Sequence, residues 1–223
     1  MSFDAVLFDL DGTLLDTLED IADAANRVLA RNHYPTHPVV AYRYFVGEGA
    51  RTLVRRVLPE RARSDDAIDR LYEEFRGEYT RNWNVKTRPY DGVPEMLDGL
   101  VESGLKIAVL SNKPDDFTRM CVAELLTEWT FDAVLGHHDG IPPKPDPTGA
   151  RQIAVELGVK PARILYAGDS SIDMATAVAA GMFPVGVLWG FRPREELEAS
   201  GARAIIENPG QLLALVRPLK DKR

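Results

Sequence analysis

The sequence predicts an α/β fold built on a parallel sheet, and three observations predict it. Short β-rich runs recur along the 223 residues, at Ala5 to Leu10, Lys106 to Leu110, Ala133 to Leu135, Ile164 to Ala167 and Val185 to Leu188. Segments with helical spacing of apolar residues separate most of these runs, and strands that alternate with helices pair in parallel. Carboxylates gather where the first and fourth runs end, at the edge where an open α/β sheet holds its ligand.

One connection breaks the alternation. After the first strand the chain reads as helices until it reaches the turn residues Pro89, Asp91, Gly92 and Pro94. Leu18, Ile21, Ala22, Ala25, Val28 and Leu29 mark one face of a first helix. Thr17 with Asp20 three residues on resembles a capping box with Asp in place of Glu. A second helix is expected over Ala50 to Leu58 and a third from Asp65 to about Arg81. The division that follows is a core of residues 1–14 and 86–223, with a helical insertion at residues 15–85. No internal repeat is present.

Composition narrows the function. At 45% apolar residues the chain can bury a substantial core. Its 27 Lys and Arg against 34 Asp and Glu give a net charge of -7, and without a dense basic run a nucleic acid duplex is excluded as ligand. Cys121 is the only cysteine, which excludes an internal disulfide and a cysteine-based zinc cluster, and its apolar helical surroundings place it in the core. Met1 leads directly into an apolar strand with no basic leader, and no apolar stretch approaches bilayer length. The expectation is a soluble cytoplasmic protein.

The chemistry centres on Asp9-Leu10-Asp11-Gly12-Thr13, where two carboxylates with period-two spacing leave the first strand. An EF-hand calcium loop needs an oxygen ligand at its fifth position, glycine at its sixth and glutamate at its twelfth, and Thr13, Leu14 and Asp20 do not supply that set. The fourth strand ends in Gly168-Asp169-Ser170-Ser171-Ile172-Asp173, which puts Asp169 at the strand end and Asp173 one helical turn later. Alone, that segment reads equally well as a helix cap using Asp169 or Ser170. Opposite the first motif it becomes half of a metal site. Hard oxygen donors, with no cysteine or suitably spaced histidine, point to Mg2+. Ser111-Asn112-Lys113 ends the second strand, and Lys144 sits in the proline-stiffened run 142–147. Either lysine alone reads as an ordinary surface residue.

Together these four segments, in this order, resemble the haloacid dehalogenase superfamily of phosphotransferases. The resemblance covers essentially the whole chain. It implies a doubly wound, Rossmann-like core with an inserted α-helical C1 cap that closes over the active site. An acid at Asp11 resembles the phosphatase and phosphomutase branches rather than the dehalogenases. Phe45-Val46-Gly47-Glu48-Gly49, Ser111-Asn112-Lys113-Pro114, Lys144-Pro145-Asp146-Pro147 and Trp189-Gly190-Phe191-Arg192 further resemble phosphoglycolate phosphatases.

By that resemblance Asp9 is the nucleophile, and Asp11 protonates the departing alkoxide and later deprotonates water. Asp9 through its carboxylate, Asp11 through its backbone carbonyl and Asp169 through its side chain hold the magnesium, with Asp173 orienting Lys144 or a water on the metal. Ser111 and Lys144, with Asn112 and the backbone N–H groups of Gly12 and Thr13, grip the phosphoryl oxygens. An unperturbed carboxylate, with a pKa of about 3.9, is already ionised near neutrality and needs no base to attack. Gly47-Glu48-Gly49-Ala50-Arg51 opens the second helix, and Arg51 is a candidate for a substrate carboxylate, although Gly47 and Gly49 suit a plain interhelical turn. Trp189, Phe191 and Arg192 read as packing with no catalytic part. Two rival readings remain: a phosphomutase that retains a sugar-phosphate intermediate, and a catalytically silent binding module whose insertion engages a protein partner.

Overall fold

The computed structural model describes residues 2–216. Strand β1 (Ala5–Phe8) leads through residues 9–14 to a two-residue strand, β2 (Leu15–Asp16). Helices α1 (Leu18–Arg31), α2 (Tyr42–Phe45), α3 (Ala50–Val57) and α4 (Asp65–Asn82) follow, and then β3 (Arg88–Pro89) pairs antiparallel with β2. From there helix and strand alternate: α5 (Val93–Glu102), β4 (Lys106–Pro114), α6 (Asp115–Leu125), β5 (Ala133–His137), α7 (Thr148–Leu157), β6 (Ile164–Gly168), α8 (Ser171–Ala180), β7 (Phe183–Val187), α9 (Arg194–Ala199), β8 (Ala204–Ile206) and α10 (Gly210–Val216).

Six strands pair in parallel in the order β5-β4-β1-β6-β7-β8. β1 lies inside the sheet because all four of its residues are apolar and buried, the pattern of a strand covered on both faces. Alternate residues feed separate apolar clusters. Val6, Phe8, Ile107 and Val109 pack on one face with Met96, Leu100 and Cys121 of α5 and α6. Ala5, Leu7, Tyr166 and Leu135 pack on the other with Ile153 and Ala177 of α7 and α8. Helices on both faces make this a doubly wound sheet. The sequence reading has five strands; β8 adds a sixth, and three residues are too short to display a period.

Between β2 and β3 the chain is helical. α1 and α4 carry the apolar face of that segment, where Ala25, Val28, Leu29, Leu71 and Phe75 meet. α4 starts on a true cap, Ser64 Oγ accepting from Ala67 N at 3.3 Å. The capping box expected at Thr17 does not form. Thr17 adopts φ -105°, ψ -3° instead of the extended backbone an N-cap needs, and its buried hydroxyl finds no partner. Asp20 turns away to the returning chain, its Oδ2 accepting from Lys86 N, Thr87 N and Thr87 Oγ1, each at 2.8 Å. That buried carboxylate pins the point where the helical segment leaves the core to the point where it returns. Among the described residues no helix is long and apolar enough to cross a membrane.

Candidate active site

The residues that follow β1 and β6 and those that end β4, at the carboxyl edge of adjacent strands, line one cleft of about 800 Å³ that includes open solvent at its mouth. Its floor carries Asp9, Asp11, Ser111, Lys113, Lys144 and Asp169. The helical segment closes it from above with Ile21, Val46, Leu53, Tyr72, Phe75 and Tyr79. The cleft is thus polar below and apolar above.

Asp9 and Asp11 meet different surroundings although one residue separates them. Asp9 is buried beside Lys144, whose Nζ lies 2.8 Å from its Oδ1. The same ammonium is 2.6 Å from Asp173 Oδ1. Burial, and then the charge of Asp173, push the Asp9 carboxyl up to about 7 against the opposing pull of Lys144. Asp9 therefore departs from the unperturbed value assumed from the sequence. Asp169 is raised well above the usual range by burial and by Asp173 and Asp9, although Phe191 N donates to its Oδ2 at 2.7 Å. Burial pulls Lys144 down, but Asp173 and Asp9 outweigh it and leave the ammonium well above its ordinary value. Asp11 instead accepts from Lys113 Nζ at 3.0 and 3.2 Å, and that lysine also reaches Tyr79 Oη on α4 at 3.0 Å. Both lysines are buried, against the surface reading each has alone, because each has a carboxylate to neutralise it.

Local backbone explains how the acids come so close. Gly12 has φ +87°, and a Cβ there would stand 2.4 Å from Asp169 Oδ2. Gly190 packs beside it, where a Cβ would come within 2.3 Å of Asp169 Cβ and 2.4 Å of Gly12 O. Thr13 Oγ1 donates weakly to Asp169 Oδ1 at 3.4 Å, and Trp189 Nε1 donates to Thr13 O at 2.9 Å. Asp173 closes a full capping box with Ser170 at the start of α8 while it holds Lys144, so the cap forms on Ser170 and leaves Asp169 outside it.

A family model described as haloacid dehalogenase-like hydrolase matches residues 6–187, from β1 through β7 and so through every strand end just described. The chain belongs to that family. Similar curated proteins of the family include a phosphoglycolate phosphatase from Pseudomonas putida, 32% identical over 93% of this chain and 78% of its own length. An N-acetylmuramic acid 6-phosphate phosphatase from Pseudomonas aeruginosa is 31% identical over 99% of this chain and 98% of its own. A crystal structure of a provisionally named phosphoglycolate phosphatase from Lactobacillus delbrueckii subsp. bulgaricus superposes with a TM-score of 0.91 at 31% identity, over 97% of this chain and 99% of that one. The protein is accordingly a hydrolase with the α/β fold of the haloacid dehalogenase-like family.

The donor set fits the divalent cation that the residues suggested. One oxygen from each of Asp9, Asp169 and Asp173 lies within 4.8 Å of the others, all buried. A single ammonium faces these three carboxylates, and burial first and their mutual repulsion second push Asp9 and Asp169 upward, both of which a hard cation offsets. Asp173 is the least free of the three, being engaged by Lys144, Tyr166 and Ser170.

Two expectations require correction. Arg51 does not line the cleft: its guanidinium lies on the exposed side of α3, 2.7 Å from Asp69 and 3.2 Å from Asp65, because the apolar face of the helix takes Leu53 and Val54 inward. Asn112 borders the cleft, but its amide is taken by backbone, donating to Gly47 O and Lys144 O at 3.0 Å each and accepting from Lys144 N at 2.8 Å. It holds Lys144 and the Gly47 loop in place. Sequence reasoning also missed Tyr79, Arg192 and the carboxylate-binding N–H of Phe191. A signal was present for the last two, since the run 189–192 follows a strand at the same sheet edge.

Proposed function

We propose that this hydrolase is a Mg2+-dependent phosphomonoesterase that acts on a small phosphorylated metabolite through an aspartyl-phosphate on Asp9, with 2-phosphoglycolate as the favoured substrate. The observation that carries the reading is Asp9 itself, buried at the cleft floor with Lys144 at 2.8 Å and Asp11 leaving the same strand toward a separate cation. A phosphate monoester dianion repels an attacking carboxylate, so positive charge must stand where the phosphoryl group sits. Lys144 supplies part of it. Asp9, Asp169 and the backbone carbonyl of Asp11 would hold the magnesium, which when bound neutralises the carboxylates and the phosphoryl oxygens.

In the first half-reaction an Asp9 oxygen bonds to phosphorus as the ester oxygen departs, and Asp11 gives that oxygen its proton. In the second, Asp11 takes a proton from water as the water oxygen bonds to phosphorus, releasing inorganic phosphate and restoring the Asp9 carboxylate. Ser111, Gly12 and Thr13 present a hydroxyl and backbone N–H groups to the transferring oxygens. The names of the two curated relatives support the substrate class, since glycolate and N-acetylmuramic acid both carry a carboxylate on the leaving group.

Phosphate release from a panel of monoesters, including 2-phosphoglycolate, sugar phosphates and nucleoside monophosphates, with magnesium and with excess chelator, tests the proposal. Magnesium-dependent release led by 2-phosphoglycolate is the expected result. Release led by another ester keeps the chemistry and replaces the substrate; isomerised sugar phosphate without release makes the protein a mutase. No turnover and no magnesium binding make it a binding module.

A further inference from the structure

Four cations border the cleft, each with a carboxylate beside it, and three have no buried donor left without a partner. Lys144 lies between Asp9 and Asp173, and Lys113 between Asp11 and Tyr79. Arg76 pairs with Asp116 at the mouth, and its side chain is 44% exposed, so water reaches its remaining donors. Arg192 is different. Its side chain is only 10% exposed, and it stands in the loop after β7 with its guanidinium 4.9 Å over the Tyr44 ring. Nε reaches Glu196 Oε1 at 3.3 Å and Nη2 donates to Val46 O at 3.2 Å. Nη1 is buried with no acceptor, one of two side-chain polar atoms so placed among the described residues.

A guanidinium stays protonated at any working pH, so an N–H pair buried without a partner keeps the full penalty of desolvation. Thr17, the other case, does not border the cleft, whereas Arg192 does, next to the residue whose backbone holds Asp169. Glu196 does not satisfy it, because that carboxylate also accepts from Ser171 Oγ at 2.7 Å and touches Arg192 only through Nε.

We infer that Arg192 is a specificity residue whose free Nη1 binds a carboxylate on the leaving group of the phosphate ester. The inference rests on the phosphatase reading above and deepens it. Arg192 takes the part that the sequence suggested for Arg51. The planar Nη1 offers two donors to anionic oxygen, and it is buried beside Val46, whose carbonyl takes Nη2, so little water competes for it. An uncharged leaving group of the same size would leave those donors unpaired, which is how such a site rejects an analogue lacking the matching group.

The test compares phosphate release from 2-phosphoglycolate and from its amide, 2-phosphoglycolamide, by the wild-type protein and by Arg192→Gln and Arg192→Lys. The expected result is a wild-type kcat/KM preference of at least about tenfold for the acid. Arg192→Gln brings that ratio close to one, mainly through KM for the acid, and Arg192→Lys retains part of it. Parallel loss on both esters in Arg192→Gln would make Arg192 a tie between loop and helical segment only and would overturn the inference. Should Arg192→Gln fail to fold, the wild-type pair decides alone: equal turnover of acid and amide removes the inference and leaves the phosphatase standing. Absence of release from these esters and from every other monoester removes both.

Discussion

Asp9 and Asp11 illustrate how one strand end gives two carboxylates different surroundings. Neighbours in the motif, they part because each finds its own buried lysine, Lys144 for Asp9 and Lys113 for Asp11. Exchanging the Asp9 carboxylate for an amide of equal size removes the nucleophile and one charge but no packing. Asp9→Asn is therefore expected to lower kcat at least about a thousandfold, with no trappable phospho-enzyme and an unchanged circular dichroism spectrum. Steady-state turnover by a carefully purified mutant, at more than a few per cent of wild type, would remove Asp9 from the nucleophile role. The motif residues were legible because their spacing places them on one strand end. Tyr79 was not, because a lone tyrosine acquires its meaning only from what folds against it, and for Arg192 the sequence showed only its place after a strand, not its partners.

Among the elements, α4 carries a buried carboxylate met by several arginines. Glu78 is buried on it and meets Arg27, Arg31 and Arg81 at 3.4, 3.1 and 3.0 Å. Burial raises its carboxyl, yet the bonds from Arg31 and Arg81 outweigh that and hold it below the ordinary value. A carboxyl lowered in the folded state adds stability that is present above its unfolded pKa and is lost as pH falls through the folded one. The arginines are about half exposed, so solvent screens them, and the whole network is worth about 1–2 kcal/mol. Glu78→Gln should lower the unfolding free energy from chemical denaturation at pH 7 by that amount, with the gap to wild type closing below about pH 4. An equal gap at pH 7 and pH 3.5 would mean that packing, not charge, is lost. Helices as long as α1 and α4 announce themselves by apolar spacing; β2, β3 and β8 do not, since two or three residues cannot establish an alternation.

At the scale of the whole molecule, the helical segment and the sheet meet through a few polar ties across the cleft. Asn112 donates to Gly47 O, Arg192 to Val46 O, and Lys113 meets Tyr79, while Arg76 pairs with Asp116. Three of these start from residues at the cleft floor, so the helical segment and the floor are tied directly to each other. Tyr79→Phe removes one hydroxyl but keeps the ring that lies 4.8 Å from Lys113 Nζ. Loss of one hydrogen bond to a cation is worth about 1.5 kcal/mol, so kcat/KM should fall by roughly tenfold, carried by KM. An unchanged KM would show that substrate binding does not draw on this tie. The sequence by itself determined the alternating core, the helical insertion and the two acidic strand ends, because these are written in local periodicity and spacing. Tertiary structure alone decided that both lysines are buried, that Arg51 faces solvent and that Arg192 reaches the cleft, because burial and partnership arise only when segments far apart in the chain pack together.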